Sequence, residues 1–204
     1  MTESNPLQRT AEWLHQRAGC LTASRAAAVL SRSKRTGEPL QAYYDLQDQI
    51  IAERITGQSI GVWTTAAMQW GIDHEGDAVV DLVGFVLHPT IARLGASPDG
   101  LVGADGLVEI KCPNTVTHLK RIATGVVPDE YKPQMLVQLL CTGRKWVDFV
   151  DFDPRLQGPY ERHQLFVVRY EPTAEELEDA KQKCVAFLNE VEDEMQKLLK
   201  EIAR

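Results

Sequence analysis

Ser97-Pro98-Asp99-Gly100, then Leu107-Val108-Glu109-Ile110-Lys111-Cys112-Pro113, is the stretch on which the reading of this chain turns. Glu109 stands ten positions after Asp99, and Lys111 follows it across one apolar residue. Residues 107–111 have strand character, and side chains on a strand alternate between faces. Glu109 and Lys111 therefore share a face, about 6–7 Å apart along the strand, while Val108 and Ile110 turn the other way into a core. Two carboxylates and a lysine are the minimum equipment for hydrolysing a phosphodiester with a divalent metal. Asp105-Gly106 is a two-residue hairpin signal that pairs residues 101–104 back on 107–111. In that register Asp99 falls opposite Cys112, the wrong parity for Glu109. A bulge or kink at Gly100 or Gly103 is expected to re-aim it.

A bare acid-x-lysine pair is also an ordinary decoration of surface hairpins, so the full string carries the argument. Pro-Asp, ten positions, then Glu-x-Lys resembles the pattern of the PD-(D/E)xK nuclease superfamily. The longer text, Ser-Pro-Asp-Gly with Glu-Ile-Lys-Cys-Pro, resembles its phage lambda exonuclease, or YqaJ-like recombinase, branch. Trp13 and Arg17-Ala18-Gly19, followed by Thr22-Ala23-Ser24, resemble that branch's N-terminal signature. The segment from Met68 to Glu75 is similar to the family helix that supplies another acid. Tyr131, Gln134 and Gln138, ending at Thr142-Gly143, are similar to its glutamine helix. Leu136 stands where relatives more often carry a second glutamine, which leaves open which glutamine acts.

The remaining composition narrows the class. With 204 residues and 44% hydrophobic composition, one globular domain spanning 1–204 is expected. No apolar run approaches membrane-spanning length and the N-terminus is polar, so a cytoplasmic protein with no membrane partner is expected. Cys20, Cys112, Cys141 and Cys184 are scattered with no Cys-x-x-Cys pair, which argues for reduced thiols and against zinc or an iron–sulfur cluster. His15, His88, His118 and His163 show no ligand spacing. The net charge of -7 runs against DNA binding until it is located. Residues 171–204 hold ten acids and five bases, leaving -2 for the first 170 residues. Arg32, Lys34 and Arg35 form a basic loop that is either a soluble turn or a phosphate contact.

Periodicity predicts helices over 9–17, 24–31, 40–56, 64–83, 116–123 and 131–142, and a last helix opening at the capping box Thr173-x-x-Glu176. Strands are predicted at 85–87, 92–96, 101–102, 107–111, 146–152 and 165–170. The fold class is α/β, a central mixed β-sheet flanked by helices, and the resemblance implies a restriction-endonuclease-like core. On the helix at 64–83, Glu75 shares an apolar stripe with Met68, Ile72, Val79 and Leu82, a costly place for an acid without a cation or metal partner.

The resemblance implies a magnesium-dependent 5′→3′ exonuclease acting on double-stranded DNA ends, with manganese able to substitute and two ions per site. Asp99, Glu109, Glu75 and the Ile110 backbone carbonyl would hold the metals. Lys111, Gln134 and Gln138 would complete the catalytic set. Arg17, Thr22, Ser24 and Ser97 would hold the 5′-phosphate, with Arg32, Lys34 and Arg35 on the DNA. A homotrimeric ring and a single-strand DNA annealing partner are implied as well. A restriction-type endonuclease and a non-catalytic DNA-end-binding mediator are the competing readings.

Overall fold

The computed structural model describes residues 10–60 and 84–203. The helix expected over 64–83, with Glu75, lies outside the described residues. Strands β1 (Leu21–Thr22), β2 (Val86–Leu87) and β3 (Leu94–Ala96) form a three-stranded sheet in the order β1-β3-β2. In it β1 runs parallel and β2 antiparallel to β3. Strands β4 (Gly100–Val102), β5 (Gly106–Lys111), β6 (Trp146–Phe152) and β7 (Leu165–Tyr170) form a second sheet in chain order. Its pairings are antiparallel, parallel and antiparallel. Both sheets are mixed, as predicted, but the predicted single sheet is divided. The chain leaves β3 at Ala96 and enters β4 at Gly100, and the link holds Pro98, which has no N–H to donate to a ladder.

The helices are α1 (Ala11–Arg17), α2 (Ala26–Leu30), α3 (Gln41–Thr56), α4 (Thr115–Thr124), α5 (Lys132–Thr142) and α6 (Ala174–Ile202). Parallel β5 and β6 require a crossover, and α4 and α5 supply it. One face of α5 and the inward parity of the second sheet bury Leu107, Met135, Leu139, Val147, Phe149 and Tyr170 together. A larger cluster joins β1, β3, α2, α3, α5 and α6 through residues such as Leu21, Val29, Ile50, Leu94, Val137 and Phe187. On the opposite face of the second sheet Val108, Ile110 and Val150 form the small core that the alternation predicts. The capping box opens α6 as read, with Thr173 Oγ1 accepting from the Glu176 N–H and the Glu176 carboxylate taking the Thr173 N–H. Among the described residues no helix is long and apolar enough to cross a membrane.

The hairpin between β4 and β5 departs from the predicted register. Gly100 pairs with Val108, Leu101 with Leu107 and Val102 with Gly106, so Gly103-Ala104-Asp105 is the loop. Gly103 adopts a left-handed φ of 54° and Gly106 enters the strand. Gly106 is required for a different reason: an added Cβ would sit 2.1 Å from the Trp146 indole. The shift changes the pairing parity. The pairing ends at Gly100–Val108, and the chain bends at Asp99, one residue before the glycine at which a kink was expected.

Candidate active site

Glu109 lies on the inward parity of β5 and is 1% exposed. A buried carboxylate needs partners, and α5 supplies two of them. Gln134 Nε2 donates to Glu109 Oε1 at 2.6 Å and Gln138 Nε2 donates to Oε2. Both glutamines thus reach Glu109 from one helix face, four residues apart. The Lys111 ammonium donates to Glu109 Oε1 from the same strand. Burial opposes the charge on Lys111, but Glu109 and then Asp99 outweigh it and hold its pKa above the ordinary lysine value. Asp99 Oδ2 accepts the Ile110 N–H at 2.7 Å.

That last bond also orients the Ile110 peptide. A strand residue presents its N–H and C=O toward the same neighbour. The Ile110 N–H goes to the Asp99 carboxylate. The Ile110 carbonyl therefore lies on the same edge of β5 as its N–H, the edge that meets Asp99. Gln138 Oε1, fully buried beside Glu109, has no hydrogen-bond partner among the described residues. Carboxylate, carbonyl and amide oxygens in one place are the donor set of a hard divalent cation. Among the described residues no three His, Cys, Asp or Glu side chains converge as ligands. The acid pair is Asp99 and Glu109, and Glu75 lies outside the described residues.

A second cluster joins the link at Ser97. Arg17, at the end of α1, reaches Ser97 Oγ at 3.4 Å, Thr22 Oγ1 at 3.4 Å and Ser24 Oγ at 3.0 Å. Trp13 Nε1 donates to Ser97 Oγ at 3.0 Å, and the Arg17 guanidinium lies 4.0 Å from the Trp13 ring centroid. Burial, then the neighbouring Arg25, lowers the Arg17 pKa to about 10. A forked cation among three hydroxyls is a phosphate-sized donor set. Ser97 in this cluster and Asp99 in the other are two residues apart.

The chain matches the YqaJ-like viral recombinase domain over residues 12–145. The chain belongs to the YqaJ-like viral recombinase family. A crystal structure of an alkaline exonuclease, LHK-Exo, from Laribacter hongkongensis is similar at 40% identity and a TM-score of 0.85, covering 95% of this chain and 98% of that one. A second structure of LHK-Exo, in complex with dAMP, matches equally well. A phage related exonuclease from Haemophilus somnus 129PT shares the fold, with 14% identity, a TM-score of 0.63 and coverage of 90% and 96%. No curated protein matches the chain.

Within this YqaJ-like chain, the basic loop divides. Arg32 donates to the carbonyls of Val29 and Ser31, satisfying the C-terminal end of α2, and lies 5.6 Å from the Tyr43 ring centroid. Lys34 and Arg35 are exposed on the turn. Lys132, and more weakly Lys34, lower the pKa of Asp129, so this turn lies near the start of α5.

Two networks escaped the sequence reading. Glu53, fully buried in α3, takes both Arg25 nitrogens at 2.6 and 2.9 Å and the N–H groups of Gly19 and Ile60. Asp151, fully buried on the inward parity of β6, takes Arg121 at 2.7 Å and His118 at 2.8 Å. The available signal for Asp151 was an acid alternating with Val147 and Phe149.

Proposed function

We propose that this chain is a magnesium-dependent 5′→3′ exodeoxyribonuclease that digests one strand of linear duplex DNA and leaves 3′ single strands for annealing. The observation that carries the reading is the convergence of Glu109 and Asp99 on Lys111, with Asp99 two residues from Ser97 of the Arg17 cluster. Kinship with an alkaline exonuclease at 40% identity supports nuclease chemistry. Asp99, Glu109, the Ile110 carbonyl and Glu75 would hold the cations, Mg2+ or Mn2+, with room in the donor set for two. The bound ions would supply water activation and charge neutralisation at the leaving oxygen. Lys111, held charged, would orient the attacking water and offset charge building on the phosphate. Gln134 and Gln138 would fix the Glu109 carboxylate, with Gln138 Oε1 left to accept from a water. Arg17, Thr22, Ser24 and Ser97 would grip the 5′-phosphate, which favours end recognition over cutting within a duplex.

The test is digestion of 5′-phosphorylated linear duplex with and without Mg2+, beside closed circular duplex. Loss of the linear strand only with Mg2+, the circle remaining intact, is the expected result. Cutting of the circle would replace this reading with an endonuclease, and binding without digestion would replace it with an end-binding mediator.

A further inference from the structure

Beside the acid pair runs a buried ionic network for which the proposed chemistry has no use. Tyr131 closes the 3-10 turn Asp129–Tyr131 that leads into α5. Its ring centroid lies 5.3 Å from Lys111 Nζ and 5.3 Å from the Phe149 ring, whose plane is 29° away. The Tyr131 hydroxyl accepts from Arg121 Nη2 at 3.0 Å. Arg121 Nη1 donates to Asp151 Oδ2 at 2.7 Å, and Asp151 pairs in register with Lys111 on the neighbouring strand. His118 joins Asp151 to the main chain, its Nε2 donating to the His163 carbonyl at 2.7 Å.

The arrangement answers a problem created by the acid pair. The direct partner of Lys111 is Glu109 Oε1, which also accepts from Gln134. A divalent cation drawing on the same carboxylate would compete with the ammonium for it. A ring face attracts an ammonium through its quadrupole yet offers no oxygen ligand to a hard cation. We propose that Tyr131, fixed by Arg121, is a positioning residue that keeps the Lys111 ammonium in place while Glu109 is engaged with metal. This rests on the metal-dependent nuclease reading.

The experiment replaces Tyr131 by phenylalanine and then by phenylalanines carrying one, two and three ring fluorines, which weaken the quadrupole at nearly constant shape. Expected is a stepwise fall in kcat on 5′-phosphorylated linear duplex, about 5- to 30-fold across the series, with KM and melting temperature flat. A kcat indifferent to fluorination would leave the ring as mere packing and overturn the proposal. A second readout needs no activity. In the isotope-labelled protein the Lys111 ε-methylene protons should be ring-current shifted upfield, should stay shifted at saturating Mg2+, and should lose the shift in Tyr131→Leu. Disappearance of the shift on adding Mg2+ would also overturn it. A wild type that never digests DNA would sink the nuclease reading alone, since the proton shift still judges the contact between lysine and ring.

Discussion

At the scale of single residues, the acid pair makes the sharpest demands. Asp99→Ala and Glu109→Ala should each remove metal-supported cleavage, and Lys111→Ala should remove cleavage while metal binding persists. Losses of about 100- to 10,000-fold are expected, read as initial rates on linear duplex. Near-normal turnover by Asp99→Ala would dismiss the assignment. Arg17→Ala should bring the rate ratio between 5′-phosphorylated and 5′-hydroxyl ends to about one, because it removes the charged centre of the hydroxyl cluster. A wild-type ratio already near one would put end recognition elsewhere. The shared face of Glu109 and Lys111 was legible because strand alternation sets it, while Asp99 was singled out by the resemblance, its expected parity being wrong. The exact pairing of the hairpin was not legible. Asp105-Gly106 imitates a two-residue turn, while the local chain cannot show that Gly106 lies under a tryptophan forty residues away. Gly106→Ala should therefore lower stability by about 1–3 kcal/mol through overpacking, seen as a lower melting temperature.

At the scale of elements, α3 shows what a pattern of apolar residues leaves out. Its length and its end at Gly57, with a left-handed φ of 67°, follow from the sequence. Its buried Glu53 does not, since the partners Gly19, Arg25 and Ile60 come from other segments. Burial raises the Glu53 pKa, but Arg25 and the Gly19 N–H outweigh it and hold the value below the ordinary one. A depressed carboxylate adds stability that is complete above the unfolded value, about 4.3, and is lost as pH falls through the folded value. Glu53→Ala, which strands Arg25, should cost about 3–5 kcal/mol at neutral pH. The gap in melting temperature from wild type should narrow below about pH 4.3. A gap unchanged down to pH 3 would mean that Glu53 acts by shape alone. The two-residue strand β1 was missed for a related reason: its ladder partner β3 lies more than seventy residues away.

At the scale of the whole molecule, a chain of 22.8 kDa is too small to surround duplex DNA alone. A homotrimer is the assembly implied by the resemblance, and apolar side chains on the outer sheet face, Leu165 at 53% and Val167 at 48% exposure, suit burial between copies. Light scattering at micromolar concentration should give three times the chain mass, and digestion against excess competitor DNA should remain processive. A monomeric mass with distributive digestion would remove the ring and leave the acid pair untouched. The acidic excess of residues 171–204 lies almost wholly on α6, which should face away from the nucleic acid. The link between the two sheets has a last implication, for the length of each catalytic stride. Ser97 touches the proposed phosphate grip and Asp99 belongs to the acid pair. Their Cα atoms can be separated by at most about 7 Å of chain. On the proposed reading, backbone stiffened by proline becomes a ruler, and the cut falls one nucleotide from the gripped end. The released product should be 5′-mononucleotides throughout digestion, and a steady yield of dinucleotides would show that the ruler is longer than this backbone.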